Sequence, residues 1–314
     1  MNGTADDTNS YRRRQPPWCR YFFSQGGCRF GSECRFSHER GGESSMSEAG
    51  ALPGGAGNGA LPGGGHSHHF SSREFVHSSG TVAAPACPSN DTLRISVMSY
   101  NALADAYARK HQRELYTRVP VSCLSWQSRV ELLAQEVAHW SPTIVCMQEV
   151  DHYADLEKKL AVHGYVGRFL QRTNDRPDGL AMFWKAAVFG REPVAAEEVI
   201  FAGLNLRDNV AQVYRLRMAD PPTSGGSSGP PPMEVVVSNI HVLFNPKRGD
   251  IKLGQVRVLV DRIARESRGG AIPVVMCGDW NSAPFSGVYD FVSNGRLDFM
   301  ERDRRTVSGQ IAGN

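Results

Sequence analysis

Five short polar motifs, in fixed order between Met98 and Pro284, each close an apolar run of the kind that forms a buried strand. They read Met98-Ser99-Tyr100-Asn101, Met147-Gln148-Glu149-Val150, Arg207-Asp208-Asn209, Asn239-Ile240-His241 and Gly278-Asp279-Trp280-Asn281-Ser282-Ala283-Pro284. The pattern puts Asn101, Glu149, His241, Asp279 and Asn281 at strand ends. Carboxylates and amides there supply hard oxygen ligands for a magnesium ion and donors for phosphate oxygens. Singly, each residue has an ordinary structural role. Asn101 suits a turn, Glu149 an edge charge, and Asp279 with Asn281 an Asx turn, while His241 suits a satisfied core position. Their shared order argues for one site.

The elements between the motifs are legible from periodicity. Leu93 to Tyr100 alternates as a strand, and Gln127 to Trp140 carries Val130, Leu133, Val137 and Trp140 at helical spacing before Ser141-Pro142 stops it. Thr143–Val150 reads as an apolar strand, Asp155–Leu160 as a helix and Gly164–Phe169 as a strand. Gly179–Lys185 and Val188-Phe189 read as a paired set, and Gln212–Met218 and Met233–His241 as strands around a Pro/Gly/Ser insert, 220–232. Asp250–Glu266 is helical, with Ile251, Val256, Leu259 and Ile263 on one stripe, and Ile272–Cys277 is a strand. Several strands are apolar on both faces. This predicts an α+β domain of two packed β-sheets flanked by helices.

Ahead of this domain the chemistry changes. Residues 1–11 form a polar tail, 12–40 a cysteine-rich module, 41–90 a flexible Gly/Ser/Pro linker, and 91–314 the sheet domain. The module spaces Cys19, Cys28, Cys34 and His38 as C-x8-C-x5-C-x3-H. Three thiolates and one imidazole saturate a tetrahedral zinc ion, which makes the site structural. In so small a unit the metal supplies the folding free energy, about 10–16 kcal/mol in isolated fingers. Tyr21, Phe22, Phe30 and Phe36 interleave the ligands with Arg29 and Arg35, a composition suited to stacking on splayed bases and holding phosphates. From Tyr11 to Arg40 seven Arg stand against Glu33 and Glu39, so a polyanion is the expected partner. Zinc-stapled protein binding and a solvated arm are the alternatives.

The remaining cysteines do not form a disulfide framework, since Cys146 and Cys277 sit inside apolar strands. The sequence contains neither a run near the ~18–20 apolar residues of a membrane helix nor an N-terminal secretory signature. Cytoplasmic or nuclear residence, with no membrane partner, is the expectation.

The finger resembles the CCCH zinc fingers of RNA-binding proteins, and Leu93 to Met300 is similar to the endonuclease/exonuclease/phosphatase superfamily. Arg176-Pro177-Asp178-Gly179, His241-Val242-Leu243-Phe244-Asn245-Pro246 and Lys252-Leu253-Gly254-Gln255 resemble its carbon catabolite repressor 4, nocturnin and Angel deadenylase branch. That resemblance implies a deoxyribonuclease I-like α/β/β/α sandwich. It also implies a magnesium-dependent 3′-to-5′ exoribonuclease acting on polyadenylated mRNA, with partners in mRNA decay. It makes Glu149 the magnesium carboxylate with Asn101 beside it. His241 becomes a phosphate contact, Asp279 the residue that activates water, and Asn281 a phosphate stabiliser. A nucleotide or RNA-end phosphatase is the enzymatic alternative. No leucine-rich repeat is legible, so recruitment through the finger is expected in place of such an adaptor.

The family site also uses a late Asp and a terminal Ser-Asp-His motif, and no histidine follows His241. From this the expectation is a chain incomplete at its C-terminus, with its last strands missing and a sheet edge unpaired, prone to poor solubility. A non-catalytic RNA-binding form is the corresponding functional alternative.

Overall fold

The computed structural model describes residues 95–219, 233–300 and 302–310. The cysteine-rich module, the linker and the 220–232 insert therefore lie outside the described residues.

Two four-stranded sheets form the domain. Sheet 1 has the order β1-β2-β4-β3, with β1 Val97–Asn101, β2 Ile144–Val150, β3 Tyr165–Gln171 and β4 Gly179–Lys185. Sheet 2 has the order β5-β6-β7-β8, with β5 Ala195–Ile200, β6 Val210–Arg217, β7 Glu234–His241 and β8 Val274–Asp279. Each sheet contains one parallel pair, β1 with β2 and β7 with β8, and the other pairings are antiparallel. Parallel pairing brings carboxyl ends to the same side of a sheet, so Asn101 lies level with Gln148 and His241 level with Asp279.

Alternation along the strands sorts side chains into three apolar layers. Ile144, Cys146, Met182 and Trp184 of sheet 1 meet Tyr214, Leu216, Val235, Val237 and Cys277 of sheet 2 in the central layer. Val145, Met147, Ala181 and Phe183 face the opposite way, against helix α4 (Trp126–Trp140) and helix α5 (Tyr153–Ala161). Ala211, Val213, Val236 and Ile240 face helix α7 (Gly249–Glu266). The result is α/β/β/α. It explains why β2 and β4 read as continuous apolar runs: both faces of each strand are covered.

Local signals set the helix limits. Ser125 caps α4 by accepting a hydrogen bond from the Ser128 amide, and the helix ends at Ser141 in the left-handed region, with Pro142 next. Four short helices lie outside the sequence expectation: α1 Asp105–Lys110, α2 Gln112–Leu115, α3 Val121–Leu124 and the capped α8, Gly287–Asn294. Strand β5 lies outside it as well. The segment around Val188-Phe189 is a correction, because Ala186–Phe189 forms helix α6 instead of pairing. Gly190, at φ 72°, ends that turn, and the chain then leads into β5. No helix among the described residues is long and apolar enough to cross a membrane.

A buried amide network pins the sheets together within the central layer. The Asn239 Nδ2 on β7 donates across the interface to Met147 O at 3.0 Å and Ala181 O at 3.2 Å, and within its own sheet to Gln212 Oε1 at 3.3 Å. Asn239 Oδ1 accepts from Gln148 Nε2 at 2.8 Å. Asn239, Gln148 and Gln212 are all at least 99% buried. Buried amides are costly when left unsatisfied and directional when satisfied, so the network fixes one register between the sheets. Asn239→Leu should therefore cost about 3 kcal/mol or more in urea denaturation, since it orphans carbonyls on both sheets and the Gln148 amide. A loss below about 1 kcal/mol would show that apolar packing alone sets the register.

Candidate active site

The carboxyl ends of β1, β2, β7 and β8 converge at one end of the sandwich, over an open cleft of about 530 Å³. Ser99, Asn101, Gln148, Gly278, Asp279, Asn281 and Gln310 are among its lining residues. Two features carry the polar groups of each strand end into it. Between Met147 and Val150 the β2–β4 register slips by one residue, and Glu149 within that bulge has φ 55°. Bulges re-aim side chains, and a non-glycine residue in the left-handed region is sparsely populated unless its surroundings hold it there. On β8, Gly278 adopts φ 150°, and a Cβ there would lie 2.2 Å from Ile240 O. Only glycine lets β8 pass so close to β7. The freed Gly278 amide donates to Ser99 Oγ of β1 at 3.2 Å.

Asn101 joins the sheets at the site. Its Nδ2 donates to Glu149 Oε1 at 2.9 Å and to Asp279 Oδ2 at 3.1 Å, while its Oδ1 accepts from the Leu103 amide at 2.9 Å. One amide thus holds two carboxylates from different sheets side by side. Glu149 Oε2 also accepts from the Ala104 amide at 3.3 Å. Asp279 Oδ1 accepts from the Asn281 amide at 3.0 Å, the Asx turn that the sequence suggests. His241 Nε2 stands 3.7 Å from Asp279 Oδ2, and its buried Nδ1 has no hydrogen-bond partner.

All five expected residues, Asn101, Glu149, His241, Asp279 and Asn281, therefore meet at one place. Cys19, Cys28, Cys34 and His38 lie outside the described residues, as do Tyr21, Phe22, Arg29, Phe30, Arg35 and Phe36.

The donor set at the cleft is oxygen-rich. Among the described residues no group of three or more His, Cys, Asp or Glu side chains could hold a metal. A closed, protein-ligated metal site does not fit that arrangement. A magnesium-type ion does, because it keeps most of its waters and binds through one or two carboxylates and a substrate phosphate.

Residues that lie in the sequence motifs but carry no assigned role there surround these five. Asn209 Nδ2 donates to His241 O at 2.7 Å, and its Oδ1 accepts from Gln255 Nε2 at 3.1 Å. Gln255 also accepts from the Leu243 amide at 2.9 Å, so the chain is gripped on both sides of Val242. Asp208 turns away from this grip. Asn174 at 2.6 Å and Arg176 at 2.9 Å hold its carboxyl below the ordinary range. Asp178 is fully buried and accepts from Tyr107 Oη at 2.7 Å and Arg172 Nη1 at 3.2 Å. Burial and this carboxylate push the Tyr107 hydroxyl up to about 12. The Arg176-Pro177-Asp178-Gly179 motif is therefore a bracket between α1 and the β3–β4 loop.

Lys252 is completely buried, and its ammonium donates to Asn281 O at 2.7 Å, to Phe244 O at 3.3 Å and to Gln310 Oε1. Burial lowers its pKa from 10.5 to about 8. Between pH 8 and 10.5 the unfolded side chain binds a proton that the folded one has lost, so this group makes stability rise with pH across that window. Lys252→Met has no such dependence. Denaturation of both proteins should show their stability difference moving toward wild type as pH rises from 8 to 10.5, by at most about 3 kcal/mol. A difference independent of pH would contradict the depressed lysine.

A model of the Endonuclease/Exonuclease/phosphatase family matches residues 98–312, and one of the CCCH-type zinc finger matches residues 17–39. Carbon catabolite repressor protein 4 homolog 6 of Arabidopsis thaliana is 42% identical over 232 residues, covering 72% of this chain and 30% of that protein. Homolog 3 of the same plant is 40% identical over 239 residues, 76% of this chain and 50% of that protein. The chain thus spans 30% to 50% of the length of these relatives. Among solved structures, ANGEL2, described as a 2′,3′-cyclic phosphatase, in complex with adenosine-2′,3′-vanadate, superposes with a TM-score of 0.62 at 33% identity, over 70% of this chain and 62% of that one. With its two sheets, flanking helices and strand-end carboxylates, the chain belongs to the endonuclease/exonuclease/phosphatase family and joins that domain to a CCCH zinc finger.

Proposed function

We propose that the chain hydrolyses a phosphodiester at the 3′ end of RNA in a magnesium-dependent reaction, trimming poly(A) as a 3′-to-5′ exoribonuclease. The observation that carries this proposal is the single Asn101 amide holding Glu149 and Asp279 together across two sheets. Such a pair offers one carboxylate for a metal and a second for a nucleophile.

Glu149 is the residue that would hold the magnesium ion. When bound, the ion neutralises phosphate oxygens and stabilises the charge that develops in transfer. The other roles belong to protein groups. Asp279 orients a water for in-line attack on phosphorus and accepts its proton, while the P–O3′ bond opposite the water breaks and the departing 3′ oxygen takes a proton from solvent. The Asn281 side-chain amide has one N–H committed to Val242 O at 2.9 Å, and its second N–H donates to a phosphate oxygen. His241, held by Asn209 through its own carbonyl, donates from Nε2 to the same phosphate. Preorganised donors of this kind stabilise the transition state without reorganising. The finger, with zinc on Cys19, Cys28, Cys34 and His38, adds RNA affinity through Tyr21, Phe22, Phe30, Phe36, Arg29 and Arg35.

The likeness to ANGEL2 favours a second reading, hydrolysis of a 2′,3′-cyclic phosphate at an RNA end. The same water attack would open that ring. The two substrates separate the readings. A 5′-labelled RNA ending in an A tract should be shortened stepwise with magnesium, and Glu149→Gln and Asp279→Asn should each reduce the rate at least ~100-fold while leaving the melting curve cooperative. Conversion only of an RNA bearing a terminal 2′,3′-cyclic phosphate would favour the cyclic phosphatase. Wild-type rates in both variants would remove the site, and RNA retention without turnover would identify a binding protein.

A further inference from the structure

The phosphate role of Asn281 rests on the function proposed above, and the residues behind Asn281 extend it. Asn281 has φ 44°, an unfavourable backbone conformation for a non-glycine residue. Lys252 fixes its carbonyl oxygen at 2.7 Å, and Val242 O accepts from its side-chain Nδ2 at 2.9 Å. The third contact comes from Gln310, a wall residue of the cleft, whose Nε2 lies 3.5 Å from Asn281 Oδ1. Gln310 Oε1 in turn accepts from the Lys252 ammonium.

Gln310 is itself fixed in place. Its backbone N–H donates to Ser308 Oγ at 3.4 Å, Ser308 is fully buried, and the Ala283 backbone N–H donates to Ser308 O at 2.8 Å. Val307 is buried against the layer that packs on α7. The 303–310 segment is thereby seated on the loop that carries Asn281.

The directions of these bonds form a chain. A cation donates to the oxygen of one amide, that amide's nitrogen donates to the oxygen of a second, and the second amide, on a residue that lines the cleft, has one N–H left over from its bond to Val242 O. Hydrogen bonds in series polarise one another, more strongly at low dielectric. Accepting a bond at Oδ1 also settles which edge of the Asn281 amide faces the cleft, an orientation that its own torsion leaves two-fold.

We propose that Lys252 and Gln310 are positioning residues that present the Asn281 amide N–H to a substrate phosphate and lend it the polarising effect of a buried charge. Neither residue touches the phosphate. The arrangement supplies cationic character at the anion site without exposing a lysine there, where it would compete for the carboxylates of Glu149 and Asp279.

The test is a double-mutant cycle on the full chain, with inorganic phosphate as the probe. Binding is followed by calorimetry and by the Asn281 side-chain amide signal in nitrogen-edited NMR spectra. Asn281→Ala should weaken phosphate affinity about tenfold, the worth of one hydrogen bond to a charged group. Gln310→Met should weaken it severalfold and shift the Asn281 amide signal, yet have no further effect when Asn281→Ala is already present. Lys252→Met should behave in the same way. Gln310→Met keeps the comparison usable if the buried lysine variant does not fold, because Gln310 lies at the cleft wall. Additive losses, or full affinity in Gln310→Met, would overturn the relay and leave the role of Asn281 standing. Absence of any phosphate-dependent change at Asn281 in the wild type would overturn the phosphate role itself, and the relay with it.

Discussion

The hydrogen-bonded amides between the two sheets are the constraint on which the site depends. Each sheet carries half of the polar groups, Asn101 and Glu149 on one and His241 and Asp279 on the other. Apolar packing alone tolerates sliding, because contacts in the central layer are non-directional. Asn239 and Gln148 do not tolerate it, since each finds its partners only at one relative placement of the sheets. Gln148 is also the residue immediately before Glu149, so the buried lock and the β2 bulge lie side by side. A shift of the lock would carry the carboxylate with it.

Strain and satisfaction are distributed around that lock in a consistent way. Glu149 and Asn281 both sit in the left-handed region, and each is held by bonds from elsewhere in the chain. Asn209, Gln255 and Lys252 act on backbone atoms of the site, at His241 O, the Leu243 amide and Asn281 O. Helix α7 contributes both Lys252 and Gln255, one turn apart on its buried face. The helix therefore does more than cover sheet 2, because it also sets the geometry of the two loops that follow β7 and β8. Residues that interact with each other rather than with a ligand can thus govern the chemistry of the cleft.

Much of this was legible in the sequence, and the reasons are specific. Strands β2, β7 and β8 are apolar runs closed by a polar residue because both faces are buried and the end opens to solvent. Helices α4 and α7 announce themselves by their stripes. Strand β5 is not legible because Ala195–Ile200 carries Glu197 and Glu198 at its middle and buries only Val199 fully at the sheet edge. Helices α1 to α3 are short and weakly apolar, so periodicity had little to register. The bulge at Glu149 leaves no mark in composition. The roles of Asn209, Gln255, Lys252 and Gln310 depend on partners that lie up to 58 residues away, and a motif shows a residue without showing what it holds. The CCCH spacing, by contrast, is legible without coordinates, because four ligands at fixed intervals have few other uses.

The most direct test of whether the two sheet ends act as one site is a magnesium titration of the full chain, followed at the backbone amides of Asn101, Glu149, Gly278 and Asp279 by NMR. If the bridged carboxylates form a single site, the amides on both sheets should shift together along one binding curve, and all four responses should vanish in Glu149→Gln. Shifts confined to one sheet, or persisting unchanged in Glu149→Gln, would mean that the carboxylates meet in space without sharing an ion, and the proposed chemistry would have to be abandoned.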